Sequence, residues 1–450
     1  MKVLLIAANV AKTPYPVYPL GIGMVGKALK NVGHDVVQFD FLQNDMSLDA
    51  VSNCVLRENP DIVGVSIRNI DNVNLLNEQR YIHAVKDIVA CIRKVSAARI
   101  VLGGSGYSIL PEAILTESGA DYGIVGEGER TMVRFVADAQ RGVYPQQPIL
   151  RSHKPLLSGK DIPSACYDLH LMEYYLQRGN VASVQTKRGC AHKCLYCTYP
   201  LLEGADIRCR DPEEVVNDIE TLVNKYKAKM IFFTDSVFND DTGHYLDVLY
   251  AMKKRGVIVP WTAFFKPEKM DKDVIDLMKE TGLKAIELGS DAPTDTTLTG
   301  LGKSFRFENI VKCNDLFAAH GIATAHYFMF GCPGETEQSV LEGIENIIGL
   351  KKSVSFIFMG IRILPNTGLE KIAIRDGIIT EGQDLLEPVY YIAPGIDRNW
   401  LEKTLTDAFK NVRHCIFPPD AKESSVQFLH KLGYTGLLWD MLIPGNKTKQ

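Results

Sequence analysis

The chain has 450 residues, 46% of them hydrophobic and 23% charged, with a formal net charge of −4. Such a length outgrows a single core and predicts two or three domains. No Lys/Arg block stands out, which speaks against nucleic acid, and no apolar run approaches the roughly 18–20 residues of a membrane span.

Residues 1–8 are too short for a signal peptide and lead at once into strand–turn–helix patterns, so they read as a first buried strand. Ten cysteines spread along the chain without a secretory signal predict reduced thiols and a cytoplasmic setting. Up to about residue 140 one rhythm repeats. Apolar runs at 3–8, 36–39, 62–67, 100–102 and 122–125 alternate with helical stretches near 21–32, 47–57, 80–95, 110–117 and 128–140. This pattern predicts a doubly wound, flavodoxin-like parallel sheet covered on both faces, with ligands outside the carboxyl ends of its strands. The loops at those ends are small and polar. They hold Leu20 and Gly21, then Ser66, then Gly103 and Gly104, and finally Gly126, Glu127, Gly128 and Glu129. Glycine lets a flat or bulky ligand approach main chain, although βα turns are often glycine-rich without one.

Residues 141–180 lose the rhythm at Pro145, Pro148, Pro155 and Pro163 and read as a linker. A second βα series fills 181–365, with strands at 181–186, 230–233, 257–261, 285–288, 323–330 and 355–363. Its helices lie near 212–226, 241–254, 271–281, 306–319 and 335–350. Six units imply a partial (β/α)6 barrel, with functional groups at the carboxyl ends of its strands. Residues 366–450 are less regular, with a helix at 398–412 and the pair Tyr390-Tyr391, and read as a small, mostly helical region capping the barrel mouth.

After the first barrel strand stand Cys190, Cys194 and Cys197, spaced C-x3-C-x2-C. Thiolates at this density suit iron or zinc, and three rather than four leave one metal position open for chemistry. A zinc site completed by Cys209 or His192 is one alternative and a disulfide another. Paired C-x2-C knuckles are the commoner zinc pattern, and the reducing compartment disfavours a disulfide.

A C-x3-C-x2-C loop in this position resembles the radical S-adenosylmethionine (SAM) enzymes. The likeness continues through Thr186-Lys187-Arg188-Gly189-Cys190, residues 204–208 and 210–216, and Phe233-Thr234-Asp235-Ser236-Val237-Phe238. With Glu287-Leu288-Gly289-Ser290-Asp291, Lys303 and Gly331-Cys332-Pro333-Gly334-Glu335-Thr336, it matches the branch carrying an N-terminal cobalamin-binding domain, over about residues 1–380. The resemblance implies that the three thiolates hold a [4Fe-4S] cluster whose fourth iron takes the amino and carboxylate groups of SAM, with Tyr196 packed nearby. It implies cobalamin in the glycine loops and an external electron donor such as flavodoxin or ferredoxin. One electron then cleaves SAM to a 5′-deoxyadenosyl radical that abstracts hydrogen from an unactivated carbon. The implied outcome is methylation of a small-molecule, lipid or peptide substrate, with one SAM methylating cob(I)alamin and a second supplying the radical. Cyclisation, ring contraction or oxidation with the same cofactors is the first rival. A radical SAM enzyme with a vestigial first domain and a non-catalytic zinc or iron–sulfur module are the others.

Single residues carry weaker assignments. Asp235 is expected at the SAM amino end or as a helix N-cap. Glu287 and Ser290 are expected at the barrel mouth, for ribose or amino hydrogen bonds. Arg208 and Lys303 suit a carboxylate or are solvated surface cations. His326 faces the substrate or is a hydrogen-bonded core histidine, and residues 331–334 form a turn. The loop 9–21 departs from the Asp-x-His-x-x-Gly pattern of folds that bind cobalt through histidine. It contains no histidine, so no lower ligand of that kind comes from it.

Overall fold

The computed structural model describes residues 1–13, 15–152, 154–268 and 270–443. Pro14 of the first loop and residues 444–450 of the expected capping region lie outside the described residues. The first sheet holds β1 (Lys2–Ala7), β2 (Asp35–Asp40), β3 (Ile62–Ser66), β4 (Arg99–Gly103), β5 (Tyr122–Val125) and β6 (Ile149–Arg151). All pair in parallel, in the order β2-β1-β3-β4-β5-β6. Alternation in β1 shows why its sequence is apolar from Val3 onward. Leu4 and Ile6 join the core under the helices Leu48–Glu58 and Ile82–Val95, while Val3 and Leu5 join the one under Leu20–Asn31 and Gly128–Gln140. The strand order reverses between β1 and β3, which opens a crevice at their carboxyl ends.

The stretch read as a linker contributes to both sheets. Pro148 precedes β6 and its carbonyl accepts the Gly123 N–H at 2.9 Å, while the helix Leu169–Arg178 packs Leu171, Met172 and Tyr175 into the second core. Its prolines punctuate short elements rather than mark a structureless tether.

The second sheet begins at β7 (Val181–Val184), followed by a hairpin of β8 (Lys187–Arg188) and β9 (Arg208–Cys209). Then come β10 (Met230–Phe233), β11 (Trp261–Phe265), β12 (Ala285–Asp291), β13 (Ala323–Phe330) and β14 (Ser353–Met359). A small ribbon joins β15 (Ile361–Arg362) to β16 (Tyr390–Tyr391), and β17 (Cys415–Ile416) pairs alongside β14. The order β17-β14-β13-β12-β11-β10-β7 makes an open, all-parallel partial barrel. The strand expected at 257–261 starts instead at Trp261. Gly256 (φ +66°) turns the chain, the Val257 N–H returns to the Met252 carbonyl, and Ile258 is exposed, so the run before Pro260 closes the preceding helix.

Side chains alternate across this sheet. Phe233, Trp261, Phe265 and Phe328 face the helices. Phe232, Phe264, Tyr327 and Phe356 line the concave face, where Leu437, Trp439 and Ile443 of the tail close over them. Buried ion pairs lock the two sheets together. Arg188 reaches Glu129 (2.6 Å) and Glu127 (3.2 Å), Arg208 reaches Glu127 (2.6 Å), and Arg362 reaches Asp71 (2.9 Å).

Candidate active site between the two sheets

The cysteine loop leaves the barrel through Gly189. Its φ of +97° and a close Asp206 carbonyl, 2.1 Å from any Cβ, admit only glycine. Cys190 is buried, Cys194 and Cys197 are half-buried, and all ten cysteines are free thiols. The loop is pinned from behind: the Leu195 N–H donates to the Leu301 carbonyl (3.0 Å), and the Leu369 N–H donates to the Leu195 carbonyl (2.8 Å). Burial pushes the Cys197 thiol up to about 12 and raises that of Cys194 despite Lys303 beside it. Three soft donors, two of them resisting ionisation alone, suit a group bringing its own positive charge, as iron does. Among the described residues no group of three or more His, Cys, Asp or Glu forms a site for a single metal ion, so neither Cys209 nor His192 completes a zinc site with them.

Asp235 does not present itself to a ligand and is not a helix cap. It is buried, with both oxygens occupied. Oδ1 accepts the N–H of Thr186 (2.7 Å) and of Lys187 (3.2 Å), and Oδ2 accepts the Thr186 hydroxyl (2.6 Å). The buried Lys187 ammonium lies 3.5 Å from Asp235 and 2.7 Å from Asp240. A buried cation needs such counter-charges, so this carboxylate staples the end of β10 to the root of the cysteine loop. Ser290 is likewise turned away from the mouth. It sits three residues past Glu287 on a strand of period two, and its hydroxyl pairs with His326 Nδ1 (2.8 Å), whose Nε2 meets Asn314 Oδ1 (3.1 Å). Burial pushes His326 down to about 3, so it is a neutral, hydrogen-bonded core histidine.

Glu287 does face the barrel interior. Tyr327 donates its hydroxyl to Glu287 Oε2 at 2.7 Å, and burial lifts the carboxyl to about 7. Around it run Phe232, Phe264, Tyr327 and Phe356, in ring contacts of 5.2, 6.4 and 5.4 Å between successive centroids. These residues wall a cavity of about 940 Å³, which tail residues including Glu423, Val426, Leu429 and Trp439 also line.

A second cavity, of about 470 Å³, opens at the carboxyl ends of the first sheet. Leu20, Gly21, Ser66, Gly103, Gly104, Gly126, Gly128 and Glu129 line it. A Cβ on Gly21 would meet nothing within 4 Å, and one on Gly103 only the Ile124 carbonyl at 3.9 Å, so these glycines leave room for a bulky ligand. Glu127 is not among the lining residues; it is spent on Arg188, Arg208 and the Leu157 N–H. Burial opposes charge on Glu129, but the Arg188 guanidinium more than offsets it and holds the carboxyl below its usual range. Leu20, Gly21, Ser66, Arg68, Gly104, Ser105, Tyr199 and Thr234 border both cavities. No histidine lines either one among the described residues, in keeping with the loop 9–21.

The sequence model of the B12 binding domain matches residues 6–136, and that of the Radical SAM superfamily matches residues 184–347. The chain belongs to the cobalamin-dependent radical SAM enzymes. The two domains are of the kinds that take cobalamin and SAM, and the three-cysteine loop lies within the second. A tryptophan 2-C-methyltransferase of Streptomyces laurentii is 23% identical, over 79% of this chain and 72% of the relative. An uncharacterized methyltransferase of Pyrococcus horikoshii is 24% identical, over 88% and 83%. The methyltransferase TsrM from Kitasatospora setae, solved with tryptophan and a SAM analog, superposes with a TM-score of 0.85 at 22% identity, covering 98% of this chain and 97% of that one. The cobalamin-dependent enzyme OxsB, with aqua-cobalamin and SAM bound, gives 0.70 at 15% identity, over 96% and 71%.

Within this radical SAM enzyme, Tyr327 and Tyr199 were not singled out from sequence. Strand alternation puts Tyr327 on the face of Glu287, and the tail expected at the barrel mouth supplies Glu423, Val426, Leu429 and Trp439 to the cavity there. Lys303 and Arg208, read as carboxylate ligands or surface cations, are buried and paired with Asp291 and Glu127. Residues 331–334 form the expected turn, with the Gly331 and Cys332 N–H groups donating to Glu335.

Proposed function

We propose that the protein methylates an unactivated carbon of a small molecule, holding cobalamin in the first-sheet cavity and SAM with substrate in the barrel cavity. The observation that carries this reading is the wall common to both cavities, which brings a ligand of one sheet against a ligand of the other. When bound, the cluster supplies one electron to SAM and cobalamin carries a methyl group. The chain's own residues do the rest. Cys190, Cys194 and Cys197 hold the cluster, with Tyr196 beside them, and the Asp235–Lys187–Asp240 set fixes the root of their loop. Glu287, near half-ionised at neutral pH, can hold or release a proton at Oε1 or Oε2 toward a bound ligand. The aromatic wall suits a flat, apolar reactant, and the tail narrows the approach of water to it.

Anaerobic reconstitution followed by incubation with SAM, reductant and candidate small molecules tests this reading. Formation of 5′-deoxyadenosine and S-adenosylhomocysteine with a product heavier by one CH₂ supports it. A product of altered mass without that CH₂ would replace methylation by cyclisation or oxidation. Variants in which any one of the three cysteines is serine are expected to lose both SAM-derived products and most of their iron.

A further inference from the structure

Lys303 is one of the most constrained cations in the molecule, and the methylation scheme does not use it. It follows the short helix Asp295–Gly300, whose exit through Gly302 (φ +72°) runs so close to the cysteine loop that a Cβ there would lie 3.1 Å from the Lys193 carbonyl. The side chain is 9% exposed. Its ammonium meets the Asp291 carboxylate, Cys194 Sγ at 3.1 Å and the Tyr196 hydroxyl at 3.4 Å. An ammonium has three N–H donors, and three acceptors stand around this one. Asp291 reaches it from a left-handed backbone (φ +61°) at an irregularity in the β12–β13 pairing. A non-glycine residue held there stores strain, which persists only where surrounding structure enforces it. The result is an oriented charge pair whose positive end touches one cluster sulfur.

We propose that Lys303 sets the reduction potential of the iron–sulfur site, by hydrogen bonding to Cys194 and held in place by Asp291. The inference rests on the reading that the three cysteines carry a four-iron cluster. One electron from an external one-electron donor enters the cluster; Lys303 keeps its proton and no bond breaks. The added negative charge lies next to a fixed ammonium in a site of low dielectric, so the reduced form gains more from Lys303 than the oxidised form does. Lys303 is a positioning residue here, acting through the sulfur of Cys194.

The test is a redox titration of the full-length, reconstituted protein, with dithionite as reductant and no SAM, followed by EPR. At the potential where the unaltered protein is half reduced, K303M/D291N is expected to show a reduced-to-oxidised ratio about tenfold lower, a shift of about 59 mV for one electron. K303R keeps the charge and should stay within about twofold. D291N keeps an amide oxygen to hold the ammonium but removes its counter-charge, and should raise the ratio. The proposal is overturned if K303M/D291N, with full iron and sulfide, keeps the original ratio, or if K303R falls as far as the methionine variant. Should K303M/D291N fail to take up iron, D291N and K303R decide: an unmoved or lowered ratio in D291N overturns the proposal. A four-iron signal missing from the unaltered protein would instead strike the functional reading itself.

Discussion

Replacing Glu287 by glutamine removes a carboxyl that is buried against aromatic rings, with one hydrogen bond from Tyr327 and no cation among the causes of its shift. Burial raises its pKa from 4.5 to about 7. That gap makes ionisation in the folded state about 3 kcal/mol harder than in the unfolded chain, at about 1.36 kcal/mol per pH unit. The sign follows from linkage. A folded protein that binds this proton more tightly has its full stability below pH 4.5, loses it as pH climbs toward 7, and stays at the lower level above. Glutamine keeps an acceptor for Tyr327 and does not titrate. The variant should therefore gain on the parent by about 2 kcal/mol between pH 5.5 and 8.5, most of it before pH 7. Urea unfolding of both proteins at pH 5.5, 7.0 and 8.5, matched for cofactor content, reads this directly. A stability difference that is flat with pH would refute the claim that Glu287 is buried without a cation. The same variant should turn over more slowly, since a site residue is traded for stability.

The glycine loops make opposite forecasts at two positions. Gly21→Phe projects into open space and should leave the urea midpoint nearly unchanged while cutting cobalamin uptake, followed by corrin absorbance, at least about tenfold. Gly104→Ala combines a φ of +98° with a Cβ only 2.4 Å from the Ile67 carbonyl, so it should cost about 2 kcal/mol or more; normal stability would contradict the backbone described. Arg188→Met strands Glu129 and weakens the hold on Glu127, with an expected loss of about 3–5 kcal/mol in urea unfolding, partly restored by adding Glu129→Gln. A loss under about 1 kcal/mol would mean these pairs do not lock the domains.

Most strands of both sheets were legible because strands buried on two faces leave short apolar runs, as β1 and β10 do. The cysteine loop was legible because its chemistry depends on residue type and spacing alone. Other features were not. The run at 257–259 has a strand's composition, yet the Gly256 turn makes it the loop that follows a helix. Asp235 and Ser290 sit in the expected region, but a site residue there and a structural one carry the same side chains. Only the direction of each side chain separates Glu287, which faces the barrel interior, from Ser290, which faces the helices. The two-residue strand β17 is below the length at which any period is visible. Glu127 followed the rule for a sheet-end loop and was diverted by two arginines 61 and 81 residues further on, a pairing that only the folded chain reveals.

The wall common to the two cavities has a consequence for how the protein is loaded. Whatever settles above Gly21 and Gly104 becomes part of the surface that the other occupant touches, so each tenant alters the other's affinity by the same factor. Filling either cavity therefore changes how readily the other is filled, and neither affinity is a property of one sheet alone.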